Sequence, residues 1–257
     1  GDVGEGKLAT VEEIVAYTMD QLNQLAMGES EEKSSLTERN LKGKKILISA
    51  GPTRENIDPV RYISNRSSGR MGYALAKVAL EKGADVTLVS GPVSISPPKG
   101  VKRVSVESTL DMYDAMMDSF FDCDICIMAA APADFAPLNY APNKIKKQSD
   151  GEEGELEILL KKTPDILSSL QGRKGSRYLC GFAAETQNLD QYAQEKLRRK
   201  GLDMIGANDV SRKDIGFDSD ENEVRIYLSG GGRLDIPKAD KEAVAARILD
   251  EIVLQID

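Results

Sequence analysis

The segments KILIS at residues 45–49, AGPTR at 50–54, MGYALAKVALEK at 71–82 and DVTLV at 85–89 decide the fold class. The two short apolar runs have the length and composition of buried strands, and the segment between them has those of a helix. Gly83 follows this helix where a helix C-terminus favours glycine. Strand, helix and strand in this order indicate a mostly parallel sheet.

The rest of the chain repeats this alternation. We predict further strands at 101–106, 124–129, 155–160, 178–182, 203–206 and 223–228. We predict helices at 110–121, 164–170 and 188–200, and a closing helix from Lys238. Thr163 is expected to cap the second of these helices with Pro164 at its first position, and Asn188 with Gln191 to form a capping box on the third. The pattern predicts an α/β fold with a Rossmann-like, doubly wound, mostly parallel sheet and helices on both faces.

The first 40 residues differ from this pattern. Thr10 and Glu13 have the spacing of a capping box, which predicts a helix to about Met27. Residues 28–38 are charged and almost without apolar side chains, which is typical of a linker. We therefore expect the main domain to begin at Leu41 and to extend to residue 257.

Composition excludes several classes of function. The 257 residues carry 34 Lys and Arg against 42 Asp and Glu, a net charge of −8, which argues against nucleic-acid or anionic membrane partners. No apolar run approaches the length of a bilayer span and the N-terminus lacks a signal-peptide pattern, so we predict a cytoplasmic protein. The absence of histidine excludes Ser-His-Asp and Cys-His catalysis and His-ligated zinc. Cys123, Cys126 and Cys180 are expected to be free, buried thiols.

Ligands of such sheets bind beyond the carboxyl ends of the strands. The loop at 51–55 together with residues 64–72 is rich in Gly and Ser and leads into a helix, which suits a phosphate or an ordinary turn equally. No acidic residue follows the strand at 85–89, which counts against an NAD-type site. Residues 129–135 end a strand in small side chains and Asp134, which permits the close approach of a base or ribose, with ordinary packing at the strand end as the alternative.

Two groups of lysines stand out in this acidic chain. Residues 144–147 read KIKK in a loop long enough to be a flap or a solvated surface loop. Lys196 and Lys200 fall on the same side of the 188–200 helix as its apolar residues, at 100° per residue. We expect these two inward lysines either to face an anion in a cleft or to snorkel at the helix end.

Taken together, the motifs resemble those of phosphopantothenoylcysteine synthetase, over residues 41–257 and in the expected order. The segments that carry the resemblance are GPTRE at 51–55, DPVRYISNRSSGRMG at 58–72, AAAPADF at 129–135, KIKK at 144–147, GFAAET at 181–186 and AND at 207–209. The similarity is greatest to bacterial two-domain members. It implies that residues 1–40 are the tail of the partner domain, a decarboxylase that uses FMN, plus a linker, so that no decarboxylase activity is expected from this chain.

The resemblance implies a CTP-dependent ligase of coenzyme A biosynthesis. CTP and 4′-phosphopantothenate, with Mg²⁺, would form an acyl-cytidylate and pyrophosphate, and the amine of L-cysteine would then displace CMP. By similarity the catalytic residues are Lys144, Asn65 and Arg61, and the substrate-binding set is the same three with Ala130. The nucleotide-binding residues implied are Gly51, Met128, Ala129, Ala130, Asp134, Lys144, Pro164, Asp165, Ile166, Leu167, Phe182, Lys196 and Lys200. Asp134 is also the candidate ligand of the metal, with a ribose contact as the alternative.

The resemblance also implies a homodimer in which a neighbouring subunit completes the acid site. One sequence departure is Pro132, where relatives often carry valine. Two other functions fit the same sheet: an NADP-dependent reductase, for which Tyr192 and Lys196 have the spacing of a catalytic pair, and a non-catalytic nucleotide-binding module.

Overall fold

The computed structural model describes residues 40–146, 156–209, 211 and 219–256. Its strands are β1 Lys45–Ala50, β2 Arg54–Asn56, β3 Tyr62–Ser64, β4 Asp85–Ser90, β5 Lys102–Ser105, β6 Ile125–Met128, β7 Phe135–Pro137, β8 Leu160–Lys162, β9 Tyr178–Glu185, β10 Met204–Asp209, β11 Glu221–Leu228 and β12 Arg233–Asp240. Its helices are α1 Arg70–Glu81, α2 Thr109–Phe120, α3 Ile166–Gln171, α4 Leu189–Arg199 and α5 Lys241–Ile256. The predicted helix at 10–27 lies outside the described residues.

Eight strands form one sheet in the order β12-β11-β10-β9-β6-β1-β4-β5. The six from β10 to β5 run parallel, and β11 and β12 continue the sheet as antiparallel strands. The strand pairs β2–β3 and β7–β8 form two separate antiparallel ribbons. This arrangement confirms the predicted doubly wound, mostly parallel α/β fold.

Helices cover both faces of the sheet. Successive strand residues point to opposite faces, so neighbouring residues of one strand pack against different helices. On β1, Ile46 and Ile48 pack in the cluster that contains α1 and α5, whereas Leu47 packs with α2, α3 and α4. All three side chains are almost fully buried. Strands buried on both faces are continuously apolar, which is why they were predicted from sequence.

Helix α1 packs unusually close to β1. A Cβ atom at Gly72 would lie 2.6 Å from the Cβ of Ala50 and 3.1 Å from the carbonyl oxygen of Ser49. Only glycine permits this approach, which sets the start of α1 directly against the end of β1. Helix α1 ends as predicted, with Gly83 at a φ of 89°.

Two predicted helix caps are wrong. Helix α3 begins at Ile166, and its cap is Asp165, whose Oδ1 accepts the Ser168 N–H at 3.0 Å. Thr163 is not the cap because its hydroxyl donates to the Ala133 carbonyl at 2.6 Å. Asn188 precedes α4 in the left-handed conformation, with a φ of 50° and no side-chain capping bond, so the predicted capping box does not form.

Other differences concern the ribbons and the last strand. The predicted strand at 155–160 is wrong for most of its length, since β8 begins at Leu160 and pairs with β7 outside the main sheet. The apolar run that suggested it is exposed, with Leu159 69% accessible. Lys238 lies in β12, so the last helix begins at Lys241 instead. The ribbon β2–β3 was not predicted.

The three cysteines are free and buried, as expected. Burial raises the pKa of the Cys123 thiol to about 12, and it also raises the pKa values of Cys126 and Cys180. These thiols are therefore protonated packing residues. No helix in the described part of the chain combines the length and apolar character that a membrane span requires.

Candidate active site

A cleft of about 810 Å³ lies beyond the carboxyl ends of β6, β9 and β10. Met128 at the end of β6, Phe182 on β9 and Asn208 on β10 line it, and the start of α1 forms part of its wall. The chain leaves β1 for β4 on one side and later returns to β6 on the other. The cleft therefore lies at a topological switch point, where open α/β sheets bind their ligands.

Most residues predicted to bind the nucleotide line this cleft. They are Met128, Ala129, Ala130, Asp134, Pro164, Asp165, Ile166, Leu167, Phe182, Lys196 and Lys200. Asn65, predicted to be catalytic, lines it as well. The structure thus brings together segments that are separated by up to 135 positions in the chain.

Gly51 does not line the cleft but supports the loop that does. Its φ is 78°, a conformation that favours glycine, and its carbonyl accepts the N–H of Ala131 at 2.9 Å. The Ser49 hydroxyl accepts the N–H of Ala130 at 3.2 Å. The end of β1 therefore fixes the backbone of loop 129–135, and Gly51 acts on the cleft through that loop.

A buried polar network also holds loop 129–135 in place. The Glu55 carboxylate accepts the N–H and the hydroxyl of Thr109, both at 2.8 Å, and the hydroxyl of Thr53 at 3.0 Å. Thr53 Oγ1 accepts the N–H of Ala133 at 2.9 Å. All of these side chains are buried, so the network ties β2 and the start of α2 to the cleft.

Asn65 lies across the mouth of this loop. Its Nδ2 donates to the carbonyl oxygens of Ala131 at 3.1 Å and Pro132 at 3.0 Å. The side chain is thereby oriented by two acceptors of the loop that follows β6. This places a polar amide in the wall of the cleft.

Lys196 and Lys200 point inward from α4, as the helical angles predicted. The Lys196 ammonium donates to the Phe182 carbonyl at 2.8 Å. The Lys200 ammonium donates to the Ser168 hydroxyl at 2.7 Å and pairs with the Asp165 carboxylate. Both lysines line the cleft, so it presents two cations held on one helix face.

Burial and hydrogen bonding shift the pKa values of Lys196 and Asp165. Burial lowers the pKa of Lys196 because the ammonium loses water, and the nearby Glu185 carboxylate only partly opposes this. Burial also acts on Asp165, but the hydrogen bonds from Lys200 and Ser168 outweigh it and lower the pKa of that carboxyl. Lys196 is thus a cation that an anionic ligand would stabilise.

The cleft is cationic although the chain is acidic. Asp134 and Asp165 are the acidic residues of its lining, and the basic ones are Arg66, Arg70, Lys162, Lys196, Arg199, Lys200 and Lys241. Helix α1 adds the positive end of its dipole: Gly69 precedes it with a φ of 78° and no side-chain cap. Backbone N–H groups of its first turn are left without a capping side chain, which suits a phosphate.

Arg61 and Lys144 lie outside this lining. Arg61 pairs with Asp58, and its Nη2 donates to the Ile145 carbonyl at 2.8 Å. Lys144 is exposed next to that residue. The structure therefore places Arg61 against the segment that carries Lys144, and neither residue is part of the cleft lining of the same chain.

The prediction of site residues missed one end of the cleft. Asn208, Asn222 and Lys241 line it, and the last two are almost fully buried. Asn208 belongs to the AND segment at 207–209, so the sequence did contain a signal for this residue. Asn222 and Lys241 come from β11 and α5, and nothing in their local sequence distinguishes them from surface residues.

Asp134 is one of two carboxylates that line the cleft, and the other, Asp165, is paired with Lys200. Among the described residues, no group of three or more Cys, Asp or Glu side chains is placed to hold a metal ion. Mg²⁺ in nucleotide sites is commonly held by one or two carboxylates together with substrate phosphates. The residues present therefore fit a phosphate-bound Mg²⁺ and do not form a cage of their own.

A family model and two curated proteins are similar to nearly the whole of the described domain. A family model described as the DNA/pantothenate metabolism flavoprotein C-terminal domain matches residues 41–255. The coenzyme A biosynthesis bifunctional protein CoaBC of Vibrio vulnificus (strain CMCP6) is 44% identical over 253 residues, which is 98% of this chain and 59% of that protein. The protein of the same name from Escherichia coli (strain K12) is 43% identical over 258 residues, which is 100% of this chain and 60% of that protein. The chain thus spans about three fifths of the length of these relatives.

Solved structures show the same fold. The C-terminal domain of a coenzyme A biosynthesis bifunctional protein CoaBC is 42% identical, with a TM-score of 0.71, over 84% of this chain and 96% of that one. A Cab2 mutant H337A in complex with phosphopantothenate-cysteine is 17% identical, with a TM-score of 0.60, over 92% of this chain and 94% of that one. At that identity the second likeness concerns the fold alone.

Proposed function

The chain belongs to the family of the DNA/pantothenate metabolism flavoprotein C-terminal domain, and we propose that it joins 4′-phosphopantothenate to L-cysteine with CTP. The carboxylate of the acid attacks the α-phosphorus of CTP and pyrophosphate leaves. The cysteine amine then attacks the acyl carbon of the acyl-cytidylate and CMP leaves. The observation that carries the proposal is a cationic cleft at the switch point of an acidic chain whose relatives are coenzyme A biosynthesis proteins.

The cleft suits this reaction because both activating substrates are anions. Lys196 and Lys200 lie on the wall where the predicted nucleotide residues gather, so they would take the phosphates of CTP. Phosphoryl chemistry of this kind depends mainly on positioning and on neutralising charge, and it needs no histidine. The small residues Ala129 and Ala130 leave room for the base or the ribose.

The acid would occupy the side of the cleft formed by Asn65 and the start of α1. The first turn of α1 offers backbone N–H groups to its phosphate. Asn65 and Ala130 would contact the acyl group of 4′-phosphopantothenate, and Arg61 would bind an anionic group of the same substrate. Lys144 would neutralise the developing charge at the reacting phosphorus. Asp134 would hold Mg²⁺ together with the phosphates. The ion, when bound, supplies charge neutralisation at the phosphates.

A homodimer would complete this site. Lys144 and Arg61 lie together outside the cleft lined by Asn65 of the same chain, so a second subunit is a natural source of these groups. The contacting ribbons β2–β3 and β7–β8 expose large apolar side chains beside them: Val60, Tyr62, Leu138, Tyr140 and Leu159. Exposed apolar residues in this number favour an interface between copies of the chain.

The domain organisation forms part of the same proposal. Residues 1–40 would be the tail of a decarboxylase domain plus a linker, with residues 41–257 as the ligase domain. FMN would belong to the decarboxylase domain, so no decarboxylation is expected from this chain. The cytoplasmic location and the absence of nucleic-acid and membrane partners stay predictions from composition.

Pyrophosphate release tests the function directly. The protein is incubated with 4′-phosphopantothenate, Mg²⁺ and either CTP or ATP, with and without L-cysteine. We expect sustained release with CTP that needs both the acid and cysteine and yields CMP. Release with ATP equal to that with CTP would contradict the nucleotide preference, and no release with either would contradict the ligase and leave a binding module or a reductase.

Lys144→Gln is the variant that tests the catalytic lysine. It should abolish amide formation because it removes the ammonium that would neutralise the developing charge at the reacting phosphorus. Lys99→Gln is the matched control, since Lys99 is also an exposed loop lysine but lies between β4 and β5, outside both the cleft lining and the segment next to Arg61. Equal activity of the two variants would remove Lys144 from the mechanism.

A further inference from the structure

The turn between β2 and β3 grips the segment that carries Lys144. The Asp58 Oδ2 accepts the N–H of Ile145 at 3.1 Å, and the Arg61 Nη2 donates to the carbonyl of the same residue at 2.8 Å. Asp58 and Arg61 are themselves ion-paired, with Arg61 Nε 3.0 Å from the same Oδ2. We call this arrangement the clasp; it holds both backbone polar groups of Ile145.

A further bond fixes the other side of Lys144. The N–H of Ala141 donates to the carbonyl of Ile57 at 2.9 Å. Lys144 therefore lies between two points, Ala141 and Ile145, at which its loop is tied to the β2–β3 turn. Its own side chain stays exposed, so the clasp restrains the backbone and leaves the ammonium available.

We propose that Asp58 is a positioning residue for Lys144, acting through Arg61 and Ile145. The clasp holds the backbone next to Lys144, so that little conformational entropy is lost when this lysine is positioned for the substrates. In this account the charge of Arg61 is neutralised by Asp58, and Arg61 serves the reaction by holding the flap as well as by facing the acid. The proposal rests on the proposed function for its catalytic consequence, but the clasp itself can be tested without substrates.

Asp58 has the chemistry that this role requires. Its side chain is fully buried, and the Arg61 hydrogen bond holds the pKa of its carboxyl well below the usual range. The two carboxylate oxygens have different partners. Oδ1 accepts the N–H groups of Val60 and Arg61, both at 2.8 Å, and Oδ2 accepts hydrogen bonds from the Arg61 guanidinium and the Ile145 N–H. One oxygen shapes the turn and the other forms the clasp.

This division makes Asp58→Asn an informative substitution. In the asparagine variant the amide oxygen takes the place of Oδ1 and keeps the hydrogen bonds that shape the turn. The amide NH₂ then takes the place of Oδ2 and faces the guanidinium of Arg61 and the N–H of Ile145, which are both donors. Donor facing donor breaks the clasp while the shape of the side chain is unchanged. The control is Asp250→Asn, which removes another buried carboxylate, the partner of Lys82 between α1 and α5, away from the flap.

Limited trypsin digestion of the ligand-free protein measures the clasp. Cleavage after Lys144 is compared with cleavage after Lys99, an exposed lysine followed by glycine. Proteolysis follows the population of the opened segment when reclosing is fast. We expect Asp58→Asn to raise this ratio about tenfold or more and Asp250→Asn to leave it unchanged. An unchanged ratio in Asp58→Asn, or an equal rise in both variants, would overturn the clasp.

Kinetics then test the positioning role. In Asp58→Asn, kcat for pyrophosphate release should fall about ten- to a hundredfold while KM for CTP stays unchanged, because a displaced catalytic group costs rate and not ground-state binding. Because Lys144→Gln should abolish amide formation, the double variant is compared in the residual, single-turnover release of pyrophosphate, where Asp58→Asn combined with Lys144→Gln should be no slower than Lys144→Gln alone. Full kcat in Asp58→Asn, or additive losses, would overturn the proposal. An inactive wild type would contradict the proposed function and with it the positioning role, whereas the clasp stands or falls on the digestion alone.

Discussion

Replacing Gly72 by alanine tests the close packing of α1 on β1, which sets one wall of the cleft. The added Cβ would lie 2.6 Å from the Ala50 Cβ and 3.1 Å from both the Ala50 Cα and the Ser49 carbonyl oxygen. Two of these atoms belong to the β1 backbone and cannot rotate away. The helix must therefore retreat by about 1 Å to restore ordinary contact distances.

The free-energy change has two opposing parts. Alanine in a helix is favoured over glycine by about 1 kcal/mol. Overpacking a well-packed contact costs about 1–3 kcal/mol, and contact with strand backbone places this site at or above the upper end of that range. We expect a net loss of about 2 kcal/mol, which lowers the melting temperature of a unit of this size by about 4–8 °C.

The assay is thermal unfolding followed by circular dichroism, together with calorimetric titration of CTP. Because the start of α1 lines the cleft, its retreat should also weaken binding of 4′-phosphopantothenate and CTP. Gly230→Ala is the control, since an added Cβ there meets nothing within 4 Å. A Gly72→Ala protein as stable as the wild type, or more stable, would refute the reasoning.

Other variants test the cleft one group at a time. Lys196→Met should keep or raise the melting temperature, because burial disfavours the cation, yet weaken CTP binding about tenfold or more in calorimetry; a lower melting temperature would count against this. Because the pKa of Lys196 is lowered, wild-type affinity for CTP should fall as pH rises towards 10.5, and Lys196→Arg should not show this fall. Asp165→Ala removes the cap of α3 and should cost about 1 kcal/mol in urea unfolding at pH 7. Its carboxyl has a lowered pKa, so that contribution is present above the ordinary carboxyl pKa and is lost as pH falls through the lowered value; an equal cost in strong acid would contradict it. Glu55→Gln keeps the shape of the buried network but weakens its charged hydrogen bonds, so urea unfolding should show a loss of about 1–3 kcal/mol, whereas an unchanged midpoint would speak against the network.

The main sheet was predictable because its strands are buried on both faces. Runs such as Ile46 to Ile48 and Ile125 to Met128 stay apolar throughout, and the helices between them show clear amphipathic faces. The ribbons β2–β3 and β7–β8 gave no such signal, because their strands are only three residues long and are not buried on both faces. Their pairing depends on contacts that the local sequence does not encode, among them the turn shaped by Asp58.

The candidate site divides in the same way. Lys196 and Lys200 were found from helical angles, because a cation on an apolar helix face stands out in any sequence. The partners of these lysines, the Phe182 carbonyl and Asp165, come from other elements and required the structure. The placement of Arg61 on Ile145 likewise joins residues 84 positions apart, and no local pattern indicates such a contact.

Oxygen transfer tests the acyl-cytidylate most directly. 4′-Phosphopantothenate carrying ¹⁸O in both carboxylate oxygens is incubated with the protein, CTP, Mg²⁺ and L-cysteine, and the products are analysed by mass spectrometry. Attack of the carboxylate on the α-phosphorus followed by amide formation leaves one labelled oxygen in each CMP and none in pyrophosphate. Unlabelled CMP, or label in pyrophosphate, would contradict activation of the acid by cytidylyl transfer.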